Sequence, residues 1–252
     1  MTPSPDPAPE LDPARPLGDL VLRPVRGHHA FESCVEQLAT AIRLGVFAYG
    51  AALPPERELA DRMGVARATL REAIAGLRAA GMVRTTRGRG GGTVVSYQPL
   101  APGEPRADGG IAERREELLD SLVFRRVVEP GACHLAASRE LSASERMLLT
   151  TALAEVDGAS DPAEHRQADS RLHLAIAGVT GSPRTVAAVT DVQACLHDML
   201  QAIPVLDVNI EHSSTQHRAI VTAILGGDPV RARRAMEQHC DDTAALLRGL
   251  LG

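Results

Sequence analysis

The chain has 252 residues and a formal net charge of −5, which suits one large domain or two small ones. It has no Lys or Trp and only two Tyr and three Phe; that composition favours helices over an all-β fold and excludes Schiff-base catalysis through lysine. Its four cysteines form no CxxC and read as buried, reduced thiols, and no apolar run is long enough to span a bilayer, so the expected location is the cytoplasm, with no membrane partner.

Residues 1–25 are Pro-rich and acidic, and are expected to form a disordered tail without the apolar core of a signal peptide. A helix over about 30–44 follows from Val35, Leu38, Ala39 and Ile42 at helical spacing, with Gly45 as a stop. Pro55 presets a short helix over about 56–63, Gly64 makes a turn, and a third helix runs over about 66–80 to Gly81. Strands at about 83–86 and 93–96 flank a Gly/Arg-rich hairpin. Pro and Gly then mark a linker. Beyond it helices are predicted over about 112–137, 142–157, 161–178, 183–202, 208–225 and 229–249, with Pro130 expected to kink or break the first. Short connections make these an antiparallel bundle. The predicted fold is mainly α: a winged helix-turn-helix over 26–97, a linker over 98–111 and an all-helical bundle over 112–252.

The charge is split along the chain. Ten Arg stand against six acids between 26 and 97, and fifteen against twenty-two between 98 and 252. Only the first segment is expected to meet a polyanion. Its third helix opens with Arg67, Thr69 and Arg71; Arg can bridge guanine O6 and N7, and Thr can touch phosphate or a thymine methyl. Arg57 sits where a helix crosses the DNA backbone, and the hairpin offers Arg87 and Arg89 with glycines that allow close backbone approach.

The lines LPPERELADRMGVARATLREAIAGLRAAGMV and RGRGGGTVV resemble the GntR superfamily of bacterial transcription regulators, over roughly 31–95. The resemblance implies DNA contacts from Arg57, Arg67, Thr69 and Arg71, with Gly88 or Gly90 at the wing tip. The family usually has Ser or Thr where this chain has Ala66, a hydroxyl that can cap the recognition helix. The lines RRVVEPGACHLAA (125–137), ADSRLHLAIAG (168–178) and STQHRAIVTAILGGDPVRARRAMEQH (214–239) resemble the FadR subfamily with its FCD-type second domain.

Within those lines Asp169 and His173 are four apart on one helix and share a face. His217 and His239 lie ten to twelve residues either side of a turn at Gly227-Asp228. At about 1.5 Å per residue, an antiparallel hairpin puts both roughly 15–17 Å from that turn, at one height. One carboxylate and three imidazoles suit a divalent ion, Zn²⁺ or Ni²⁺, with positions left open for a ligand; many members of the resembled subfamily bind a metal through such a set. The other reading is a metal-free pocket built from the same groups, and His165, four before Asp169, competes for membership. The resemblance also implies that Arg125 faces the pocket, where a buried Arg can clamp a carboxylate; the plainer reading is a helix pair between Arg125 and Glu129.

The sequence therefore predicts a homodimeric, ligand-responsive regulator, a repressor of an inverted-repeat operator, sensing a small carboxylate and having no enzymatic activity. Two alternatives remain: a regulator in which the ion is the signal, and a metal-dependent hydrolase, for which no further carboxylate is placed as general base.

Overall fold

In the computed structural model, residues 17–25, 29–86, 92–98, 114–201 and 207–251 are described. The N-terminal unit contains α1 (Leu17–Val21), α2 (Ala30–Arg43), α3 (Glu56–Met63), α4 (Arg67–Ala79), β1 (Val83–Thr86) and β2 (Gly92–Val95). The strands pair antiparallel, with Val83 opposite Val95 and Thr86 opposite Gly92. The second unit is wholly helical among the described residues: α5 (Arg115–Ala137), α6 (Ala143–Gly158), α7 (Pro162–Gly178), α8 (Pro183–Gln201), α9 (Asp207–Leu225) and α10 (Pro229–Leu251). Mainly α, with a small two-stranded wing, is the fold that the periodicity predicted. Residues 1–16, the wing tip at 87–91 and the linker segment 99–113 lie outside the described residues.

The helix boundaries follow local chemistry. Gly64 caps α3 in the left-handed region at φ 64°, so the chain reverses into α4 at a residue with no Cβ to clash. Ser142 and Glu145 form a reciprocal capping box on α6. Asp161 accepts from the amides of Ala163 and Glu164 at the start of α7, and Pro162 fills its first turn.

Two expectations are corrected. Residues 17–25 do not belong to a disordered tail: α1 buries Leu20 and Val21, and Leu22 is buried just after it. These side chains share one apolar cluster with Leu38 and Ile42 of α2 and with Leu174, Ala177, Val186 and Val189 of the bundle. Averaged over a Pro-rich stretch, the apolar run Leu20-Val21-Leu22 is invisible; it is ordered because it finds a surface to cover. Likewise Pro130 does not break α5, which runs from Arg115 to Ala137 through it. A proline removes one helix N–H, but α5 is packed on α7, α8, α9 and α10, and that burial holds it together.

The most enclosed helix is α7. Ala168, Leu172, Ala175 and Ile176 join the core of the bundle, while Leu174 and Ala177 join the cluster shared with the N-terminal unit. Polar contacts reinforce that junction. The Gln167 side-chain amide donates to the Arg43 carbonyl at 3.1 Å, Arg171 reaches the Gly45 carbonyl at 3.5 Å, and Arg43 approaches Asp198 at 3.5 Å. Arg62 pairs with Asp19, tying α3 to α1. A Cβ on Gly178 would stand 2.6 Å from the tip of Leu20, so the glycine is the notch in which α1 is seated.

Candidate metal centre and DNA-recognition surface

Leu70, Ala73, Ile74 and Leu77 bury one side of α4. Arg67 and Arg71 are exposed together on one flank of that side, and Thr69, roughly 160° around the axis, is half-buried on the other. Arg57 is exposed on α3. Arg71 is held by Glu56 at 3.0 Å in an exposed pair; a pair of that kind contributes only about 0–1 kcal/mol and exchanges readily for a phosphate. Ala66 is the N-cap of α4 and supplies no side-chain cap, as its methyl group dictates. Arg87, Gly88, Arg89 and Gly90 lie outside the described residues.

In the bundle, Asp169, His173, His217 and His239 converge. Each offers one ligand atom, and the four atoms lie within 4.8 Å of one another. Asp169 and His173 come from successive turns of α7, His217 from α9 and His239 from α10, so three helices fix the set. The equal spacing of the two histidines from their turn does put them level: their ring centroids are 4.6 Å apart, and His173 lies 5.5 Å from His217 and 5.3 Å from His239. All four are buried. His165 lines the adjoining cavity but is not among the converging four.

The protonation states suit a cation. Burial works against the Asp169 charge, yet His217, His173, His165 and Arg125 hold its carboxyl below the usual range. Burial pushes His217 down to about 4, against the pull of Asp169. Burial, with His217 and Arg125 nearby, also pushes His239 well down. An ionised carboxylate and neutral imidazoles are the forms that ligate a metal. His217 Nδ1 is buried without a partner, while His173 Nδ1 stands 3.0 Å from Glu129 and His217 Nε2 stands 3.3 Å from Asp169 without well-aligned hydrogen bonds, a costly arrangement for groups that want partners. Ligand atoms about 2.0–2.2 Å from one ion stand at most roughly 4.4 Å apart, so the set fits a single ion after a shift of tenths of an ångström.

Two residues that the sequence did not assign to the centre orient the ligands. Gln216 accepts from His239 Nδ1 at 3.0 Å, leaving Nε2 for the centre, and its own amide donates to Asp242 at 2.7 Å. Glu129 stands 3.0 Å from His173 Nδ1, accepts from Gln193 at 2.6 Å and accepts from Arg125 Nε at 2.9 Å. Glu129 thus does form the predicted helix pair, but the same carboxylate also sets the ring of a candidate ligand, the outer-shell role that fixes tautomer and orientation. Burial opposes its charge, and Arg125 and His173 overcome that, holding it ionised far below the carboxylate range. The Gln216 role was readable in principle from the register that aligned the two histidines.

Beside the set lies a cavity of about 140 Å³. Its wall includes Asp169, His239, Arg125, Leu196, Leu200 and Leu246. Arg125 is 1% exposed; its Nε is bound to Glu129, and its two terminal nitrogens have no hydrogen-bond partner.

Comparison with known proteins agrees with this architecture. Residues 31–95 match the profile of the bacterial regulatory proteins of the gntR family, and residues 120–242 match the FCD domain. The chain is 31% identical over 243 residues to the HTH-type transcriptional repressor NanR of Klebsiella aerogenes, covering 90% of this chain and 89% of that one. It is 29% identical over 241 residues to NanR of Cronobacter sakazakii, again covering 90% and 89%. The solved structure of E. coli McbR/YncC superimposes with a TM-score of 0.51 at 16% identity, over 88% of this chain and 99% of that one, a likeness of fold. Among the described residues no helix is long and apolar enough to cross a membrane. The chain belongs to the GntR family of bacterial transcription regulators, in the branch whose second unit is an FCD domain, and is a DNA-binding regulator rather than an enzyme.

Proposed function

We propose that this regulator is a homodimeric repressor of an inverted-repeat operator, released or tightened by a small carboxylate sensed in its helical unit. The observation that carries the reading is the convergence of Asp169, His173, His217 and His239 beside Arg125. A divalent ion held by the four, Zn²⁺ or Ni²⁺, would supply Lewis acidity and open positions for a carboxylate oxygen. Arg125 contributes the second anchor: its two unpartnered terminal nitrogens form a fork that can donate two hydrogen bonds to a carboxylate. Leu196, Leu200 and Leu246 exclude water from the neighbouring wall. Repression is the sense carried by the names of the NanR relatives.

Arg57, Arg67, Thr69 and Arg71 are the operator contacts of this reading, together with the wing residues. Arg67→Ala or Arg71→Ala should each weaken specific operator binding by roughly 1–3 kcal/mol in fluorescence anisotropy. Unchanged specific affinity would remove that residue from the contact set.

The sensor half is tested by titrating metal-loaded protein on operator DNA with two- to six-carbon carboxylates. An effector shifts operator affinity only by its preference for one arrangement of the dimer. The expected result is a shift in wild type that Arg125→Ala abolishes. If no carboxylate acts and affinity follows metal concentration instead, the ion itself is the signal. An Arg125→Ala variant that responds as wild type does would end the clamp assignment.

A further inference from the structure

The homodimer reading leaves open which surfaces meet, and the exposed apolar side chains answer it. Among the described residues the large exposed apolar side chains number eight, and four of them, Val123, Phe124, Val127 and Leu135, lie on α5. Val127 is 68% and Val123 57% exposed. With Asp120 and Gly131 they occupy positions spaced by threes and fours, a single stripe along the outer face of α5. The other faces of α5 are packed on α7, α8, α9 and α10. A contiguous apolar stripe on an otherwise polar surface marks a contact site.

The geometry points to a second copy of this chain as the occupant, with α5 packed antiparallel on its two-fold mate about Val127. A two-fold contact must be self-complementary, because each patch meets its own copy. The stripe meets that condition in one register. If the axis passes beside Val127, each Phe124 falls opposite Gly131 of the other copy. Nothing lies within 4 Å of a Cβ added at Gly131, so that glycine is an open hole beneath an aromatic knob. In the same register Asp120 falls beside His134 and Leu135 of the other copy. The acidic first turns, with Glu116, Glu117 and Asp120, therefore face the histidine-bearing end of the mate.

A parallel arrangement fails on both counts. It would set those three acids against their own copies and Phe124 against Phe124, leaving the glycine holes unfilled. Like charges directly opposed are destabilising, and unfilled space forfeits packing.

This inference rests on the homodimer reading, and the test separates the two. Val127→Cys in the full chain places two thiols beside the axis, within reach of a disulfide whose Cα atoms need about 4.4–6.8 Å. Mild oxidation with diamide should give a covalent dimer on a non-reducing gel. Met147→Cys, equally exposed but on α6, should stay uncrosslinked. In parallel, sedimentation should show wild type at twice the chain mass and Val127→Asp at the chain mass with unchanged helical circular dichroism. A wild-type dimer that survives Val127→Asp would overturn this face while leaving the homodimer intact. A dimer that Val127→Asp dissociates but Val127→Cys does not crosslink would overturn the register. A monomeric wild type would overturn the homodimer itself.

Discussion

Purified, unchelated wild-type protein should carry about one divalent ion per chain, and an Asp169→Ala/His217→Ala double variant should carry none. The reason is the state of the four side chains. They are buried, with Asp169 held below the usual carboxylate range, His217 and His239 pushed down by burial, and His217 Nδ1 left without a partner. Without an ion these polar atoms are desolvated for no return. Removing Asp169 and His217 takes away the only anion of the set and one of three imidazoles, leaving two rings that cannot fill a tetrahedral shell. Elemental analysis reads the ion directly. Thermal unfolding gives a second readout: added Zn²⁺ at a hundred times its dissociation constant should stabilise wild type by about 2.7 kcal/mol and leave the double variant unmoved. No ion in either protein, even after Zn²⁺ or Ni²⁺ is added, would make the cavity a metal-free pocket and deprive the carboxylate reading of one anchor.

Glu129→Leu should be the most destabilising single substitution in the helical unit, costing roughly 3–5 kcal/mol in denaturant unfolding. Glu129 and Arg125 are 2% and 1% exposed and bonded at 2.9 Å. Taking away the carboxylate leaves a guanidinium that cannot shed its charge buried without an anion on its own helix, and it also strips Gln193 and His173 of a partner. The compensating test is Arg125→Met with Glu129→Leu. Replacing both members of a buried pair by apolar groups of similar volume is often neutral, so the double variant should regain most of the lost stability. A Glu129→Leu protein within about 1 kcal/mol of wild type would show that Arg125 finds another anion.

Much of this was legible because the chain is heavily punctuated. Gly45, Gly64 and Gly81 each follow a helix at positive φ, and Pro162, Pro183 and Pro229 each open one. The candidate ligands were legible as two pairs for a related reason: one helical turn aligns Asp169 with His173 and one tight turn levels His217 with His239, while their union into one set was implied by the FCD resemblance. What escaped the sequence depends on distant partners. Helix α1 has five residues, too few to be stable alone, and exists because Gly178 leaves a notch for Leu20 some 160 residues away. A break at Pro130 was overruled by burial. Glu129 read as a local partner of Arg125 because His173 and Gln193 reach it only through tertiary packing.

Helix α7 works as a two-sided rod. Successive residues turn by about 100°, so Gln167 and Arg171 stand roughly 160° around the axis from Asp169 and His173. One side carries the carboxylate and imidazole of the candidate metal set; the opposite side carries the amide and guanidinium that hold the carbonyls of Arg43 and Gly45. A hydrogen-bonded helix turns as a single body. A rotation that draws Asp169 and His173 inward by some fraction of an ångström therefore swings Gln167 and Arg171 outward by about as much, at the very base on which the DNA-reading unit rests. On the proposed reading, sensor and reader would be adjacent through the thickness of one helix, and a signal between them would have no further distance to travel.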